Sequence, residues 1–199
     1  MDLQTFSERL TEFVGDEKEM RPLLCCGNPL TCTVALVGIN PRSTTPFWKF
    51  WNSETGMNRK AWLDAYRASH DGTVSRSRAA IERFVPQVAA RVIELNAYVA
   101  QSNRIADLEP ERRKTDVLRF VLDAVRPKVI VCAGVRARAA VEAIGANWNP
   151  AIVEAKHFIY WGRENEVELA RRVNALLCTI GGDMDPDASF TGPSFGSVI

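Results

Sequence analysis

With 199 residues, 46% of them hydrophobic, the chain is long enough to bury one full core and short for two domains. Lys and Arg number 25 against 24 Asp and Glu, and a net charge of +1 excludes a global electrostatic pull toward nucleic acid or membrane, so such binding must come from a local patch. No apolar run approaches the roughly 20 residues of a membrane span, and Met1-Asp2-Leu3-Gln4 lacks the basic and apolar regions of a signal peptide, so a cytoplasmic protein without a membrane partner is expected.

Leu3, Phe6, Leu10, Phe13 and Val14 recur at helical spacing before Gly15, which predicts an amphipathic first helix. Residues 23–26, 27–30 and 33–39 read as strand, turn and strand. Val34-Ala35-Leu36-Val37-Gly38-Ile39 is continuously apolar, as suits a parallel strand covered on both faces. Asn58 can cap a helix carrying Trp62, Leu63, Ala65 and Tyr66, and another helix is predicted from Ser77 toward Pro86. A short strand covers 91–95. Pro110 suits a first helical turn ahead of Val117, Leu118, Phe120, Val121 and Leu122. Strand 128–132, helix 134–144, strand 151–154 and helix 164–177 complete a single domain over 1–178, with a flexible tail over 179–199 rich in Gly, Pro, Ser and Asp.

Four strands alternating with helices predict a three-layer α/β/α domain around a four-stranded parallel sheet, with any ligand beyond the carboxyl ends of the strands. The loops to inspect begin at Asn40, Asn96, Gly134 and Lys156. No glycine-rich nucleotide motif follows a strand. Cys25, Cys26 and Cys32 cluster, while Cys132 and Cys178 stand apart. An odd count of five favours free, structural thiols over disulfides, and with only His70 and His157 as imidazoles neither a metal nor a cofactor is expected.

Three of those loops carry the chemistry. After the first central strand comes Gly38-Ile39-Asn40-Pro41-Arg42, closely followed by Phe47-Trp48-Lys49-Phe50-Trp51. The next strand ends Leu95-Asn96-Ala97-Tyr98, and the last ends Glu154-Ala155-Lys156-His157-Phe158. An amide can orient water but cannot take its proton as a carboxylate would, and an Asn edge presents one donor and one acceptor, a pairing worth ~1–3 kcal/mol to a ligand edge with the complementary groups. Each asparagine also suits a plain turn, and His157 suits a structural role.

The order of these segments resembles the uracil-DNA glycosylase superfamily, and the first segment is similar to the Gly-x-Asn-Pro-Gly turn and Phe-Trp pair of the mismatch-specific uracil and thymine glycosylases. The resemblance covers about residues 21–177. It implies that Asn40 places the attacking water, that backbone at Ile39 binds the base, that Phe47 stacks on it, that Asn96 reads it, and that neutral His157 stabilises the leaving group. The activity implied is hydrolysis of the N-glycosidic bond of uracil or another deaminated or damaged base in single- or double-stranded DNA. The Cys-x-x-Cys spacing by which some relatives hold an iron-sulfur cluster is absent.

Arg42 departs from the Gly or Tyr of the families at that position, and it can fill the base pocket, exclude thymine or reach a phosphate. Phe158 and Ile159 replace the usual proline and the backbone-pinching serine, which favours a non-catalytic module binding nucleic acid or another partner through the same cleft. A hydrolase of free nucleosides or nucleotides is a third alternative, given the neutral charge. Arg76, Arg78, Arg136 and Lys156 are further candidate phosphate contacts, at helix starts or beside the last motif, where solvated surface charge is the plain alternative.

Overall fold

The computed structural model describes residues 1–15, 20–42 and 45–180. Helix α1 (Leu3–Val14) forms as predicted: the Asp2 side chain accepts from the Thr5 amide, and Leu3, Phe6, Leu10 and Val14 bury one face. Gly15, at φ 64°, ends the helix with its amide on the Thr11 carbonyl.

The chain continues through β1 (Cys26–Gly27), β2 (Val34–Gly38), β3 (Trp51–Asn52), β4 (Gly56–Asn58), α2 (Arg59–Ala68), α3 (Arg76–Phe84) and β5 (Val92–Asn96). It closes with α4 (Asp116–Val125), β6 (Val129–Ala133), α5 (Val135–Ile144), β7 (Ala151–Ala155) and α6 (Arg163–Ile180). Strands β5-β2-β6-β7 form the expected parallel sheet in that order. Alternate residues of β2, β5 and β6 enter two separate cores, while the edge strand β7 gives Val153 to one of them and exposes Ile152 and Glu154. Ala35, Val37, Ile93, Leu95, Ile130 and Cys132 pack with α1, α2, α4 and α5, whereas Val34, Leu36, Val92, Val129, Val131 and Val153 pack with α3 and α6. The domain is therefore a three-layer α/β/α sandwich.

Three local expectations change. Only Cys26–Gly27 of the expected 23–26 strand pairs as a strand, and it joins β4 rather than the main sheet; Leu24 makes a single antiparallel bridge to Glu94. That small sheet, β1-β4-β3, is built from strands of two and three residues, too short for any periodicity to reveal. Pro110 opens a separate 3-10 turn, because the Arg112 and Arg113 amides bond back to Glu109 and Pro110, and α4 begins at Asp116. Of the expected tail, Thr179 and Ile180 are the last residues of α6, and 181–199 lie outside the described residues. Among the described residues no helix is long and apolar enough to cross a membrane.

A carboxylate lies on the α3/α6 face of β5. Glu94, 7% exposed, accepts from Arg59 Nε and Nη2 (3.1 and 2.8 Å) and from Arg78 Nη1 (2.7 Å), while Glu82 binds both arginines as well. Burial pushes this carboxyl upward, but the Arg78 and Arg59 guanidinia overcome that and hold it down at about 2. On the other flank of α3, Arg83 forks onto Glu166 of α6 at 2.8 and 2.7 Å, and Glu166 is 1% exposed.

Because Glu94 titrates below its ordinary 4.5 in the folded chain, its stabilisation is complete above that pH and is lost as pH falls through about 2. Glu94→Gln leaves Arg59 and Arg78 short of one carboxylate and should cost about 3–5 kcal/mol at neutral pH. Denaturant titrations at pH 7 and pH 3 test this: the variant's deficit should shrink at the lower pH.

Candidate functional site

The loops after β2 and β5 run side by side and extend the parallel pairing past the sheet. The amides of Ala97, Tyr98 and Ser102 donate to the carbonyls of Gly38, Ile39 and Pro41 at 2.9, 2.8 and 3.1 Å. Asn40, the half-buried residue between them, donates through Nδ2 to the Ser102 carbonyl (2.9 Å) and Ser102 Oγ (3.0 Å), with a longer approach to the Pro41 carbonyl. Engagement of Nδ2 fixes the amide plane and leaves Oδ1 as the acceptor able to orient a water. Nothing around Ser102 in the sequence marks it as the anchor.

Asn96 ends β5 at 8% exposure, and its side-chain amide has no hydrogen-bond partner among the described residues. It sits above Gly38, the last residue of β2. A methyl placed on Gly38 would lie 3.0 Å from Asn96 Oδ1 and 3.1 Å from Phe158 Cε2, so amide and ring converge over one hydrogen atom. A methyl there would require the Asn96 amide or the Phe158 ring to give way by a few tenths of an ångström.

Phe158 follows β7 and crosses the end of β6 to reach β2. It is 9% exposed and packs edge-on against Trp161, which in turn meets Phe84 of α3 edge-on. The aromatic ring beside Asn96 is therefore Phe158. Phe47 is 1% exposed in the opposite core, stacked on Trp51 and edge-on to Trp48, and Trp51 donates to Ser7 of α1. A ring so enclosed leaves no free face for a base.

His157 is exposed at the carboxyl edge, against Gly134 after β6. Its Nδ1 accepts from the Ile159 amide at 3.3 Å, which selects the tautomer with the proton on Nε2. Burial lowers its pKa below the ordinary 6.5, so the imidazole is neutral at pH 7 and Nε2 can donate. A shallow cavity of about 350 Å³ adjoins it, lined by Gly134, Val135, Arg138, Glu154 and Lys156 among others.

The cationic candidates divide. Arg42, Arg76, Arg136 and Lys156 are exposed, whereas Arg78 is 5% exposed and engaged by Glu82 and Glu94, away from any strand of nucleic acid. Ile39 is half buried, its carbonyl taken by Tyr98. The cysteines described carry no disulfide: Cys25, Cys32 and Cys132 are buried, and Cys26 and Cys178 are exposed. A hydrogen bond with Cys32, together with burial, raises the Cys25 thiol, and burial pushes Cys132 up to about 12, so both stay protonated and unreactive.

Asn40, Asn96 and His157 thus stand at the carboxyl ends of β2, β5 and β7, and Phe47 does not join them. No family model matches the sequence, and no curated protein matches it either.

The contact over Gly38 can be measured. Gly38→Ala should destabilise the domain by about 1–3 kcal/mol through overpacking. Combined with Phe158→Ala, it should cost clearly less than the two single changes added together. Strict additivity in thermal or denaturant unfolding would show that ring and glycine do not touch.

Proposed function

We propose that the protein is a DNA glycosylase-like enzyme that hydrolyses the N-glycosidic bond of uracil or another deaminated or damaged base, acting in the cytoplasm and adopting the fold of the uracil-DNA glycosylase superfamily. The observation that carries this reading is the unpartnered amide of Asn96 at the carboxyl edge of the sheet, with a fixed Asn40 amide after the adjacent strand β2 and a neutral imidazole after β7, at the far side of the same edge. Solvent reaches this amide, and a ligand that pairs with both its donor and its acceptor would take the place of that water.

The roles follow from the chemistry of each group. Asn96 presents a donor and an acceptor to the edge of a pyrimidine. Asn40 Oδ1 orients the water for attack at the sugar carbon. As the C–N bond breaks, its electrons pass to the base, and His157 Nε2–H donates to the base oxygen where that negative charge gathers. As the water oxygen bonds to the sugar carbon its proton passes to solvent or to the departing base anion, and with no carboxylate to take it first turnover is slow. Phe158, in place of Phe47, is the aromatic ring at this edge, and it has to turn aside before a base reaches Asn96.

Phe158 also favours a second reading. Its buried ring lies where it meets the Asn96 amide, and a base reaches that amide only by displacing the ring. If the ring holds its place, the domain is a non-catalytic module that binds nucleic acid through the exposed Arg42, Arg76, Arg136 and Lys156.

The two readings separate in a gel assay of oligonucleotides carrying single uracil, hypoxanthine, xanthine or mismatched thymine, cleaved at abasic sites. Base release that falls 10²-fold or more in Asn96→Ala and Asn40→Ala, and rises in Phe158→Ala, is expected for the enzyme. Release from none of these substrates by either wild type or Phe158→Ala would leave the binding module. The rate should be flat above neutrality and fall as pH drops through the lowered pKa of His157, because protonation of Nδ1 breaks its hydrogen bond with the Ile159 amide and frees the ring from the orientation assigned here. Arg42→Gly distinguishes the roles of that side chain: a higher rate marks a gate, and a salt slope flatter by about one unit marks a phosphate contact.

A further inference from the structure

The charges beside β5 do not balance. Arg59 and Arg78 are matched by Glu82 and Glu94 in the network described above. A third guanidinium, Arg21, lies against the same group of side chains, 5.4 Å from the centre of the Trp62 ring that Arg78 also approaches at 5.4 Å. Arg21 has no hydrogen bond or carboxylate partner for its side chain among the described residues, yet it is only partly exposed. Three cations thus share two anions. Burial and the neighbouring Arg78 draw the Arg21 guanidinium down to about 9, and it still carries its charge at neutral pH.

The surroundings of Arg21 suit an anion. Its amide donates to the Val99 carbonyl and Met20 bridges Ala100, so it stands beyond the carboxyl end of β5, on the Asn96 side of the sheet. Tyr66 stacks on Trp62 at 5.4 Å, and its hydroxyl receives the Ser75 amide at 3.4 Å. Ser75 is the cap of α3, a nine-residue helix whose positive end therefore adjoins the same corner, with Arg76 exposed beside it. Solvent reaches the Arg21 nitrogens, none of which is both fully buried and unpaired.

We propose that Arg21, with the start of α3, forms a subsite for a phosphate group. A phosphate diester would supply the one negative charge that the cluster lacks, and the planar guanidinium would grip it through two parallel hydrogen bonds. The inference deepens the reading of the Asn96 edge as a nucleic-acid site, because it places a strand phosphate beside the base position. The same chemistry also describes a free phosphate or a nucleotide.

The test compares thermal unfolding of the full chain in sodium phosphate and in sodium chloride at equal ionic strength, for wild type, Arg21→Met and Arg21→Gln. Wild type should gain about 2–4 °C from phosphate. Each variant should gain clearly less than wild type, keeping only the general stabilisation that phosphate gives as a salt, while each should melt in chloride no lower than wild type, since a cation without a carboxylate partner has been removed. No gain in wild type, or an equal gain in whichever variant folds, overturns the subsite.

Binding of a single-stranded oligonucleotide over a salt series identifies the source. A slope flatter by about 0.7–0.9 in the variants assigns the site to a strand phosphate, and an unchanged slope overturns that form and leaves a free phosphate or nucleotide. The base-release assay is independent of both readouts. Absence of release with a phosphate gain that depends on Arg21 would defeat the glycosylase reading and keep the subsite, and the converse result would do the reverse.

Discussion

A carboxylate in the interior of a sheet has to be neutralised, and Glu94 is the group around which this domain is organised. Moving an isolated carboxylate out of water costs several kcal/mol, so the chain must bring cations to it or lose the strand. It brings them from two separate helices, Arg59 from α2 and Arg78 from α3, and Glu82 of α3 closes the network. Both helices are thereby pinned over β5. The Arg83 to Glu166 fork then fixes α6 to α3, so the layer on that face is set by two ionic joints laid over an apolar core.

This arrangement decides what lies at the carboxyl edge. Helix α3 carries Phe84 against Trp161, and Trp161 holds Phe158. The segment after β7 is consequently drawn across β6 until the Phe158 ring rests over Gly38 beside Asn96. Joining the β2 and β5 loops by backbone hydrogen bonds does the same for Asn40, whose amide is fixed by Ser102. The edge is thus a preorganised polar surface of two amides and one neutral imidazole with an aromatic ring over it. Such a surface suits recognition of a flat polar ligand more than proton abstraction, because the carboxylate of the adjoining cavity, Glu154, is paired with Arg138.

The sequence by itself determined the sheet. The runs beginning at Val34, Val92, Val129 and Ala151 form its four strands: the first three are buried on both faces and admit few polar residues, the edge strand is buried on one, and the helical spacing in between leaves a parallel arrangement. The cap at Asn58 was legible for a similar reason, because an Asn side chain meets the free amides of a first turn locally. The ends of the strands were legible too, and with them the placement of Asn40, Asn96 and His157 on one edge.

What only the tertiary structure decided is the partner of each side chain. Phe47 and Phe158 are both aromatic residues close to a motif, yet one is enclosed among Trp48 and Trp51 on one face of the sheet and the other faces Asn96 across its edge. Arg78 and Arg76 stand two residues apart at the start of one helix, yet the first is buried on Glu94 and the second is in solvent. Arg21, Ser102 and Gly38 carry no local signal. Their roles arise from contacts between residues 60 to 120 positions apart in some cases, and a pattern with a period of two or 3.6 residues reports which face a side chain takes, not which distant group it meets there.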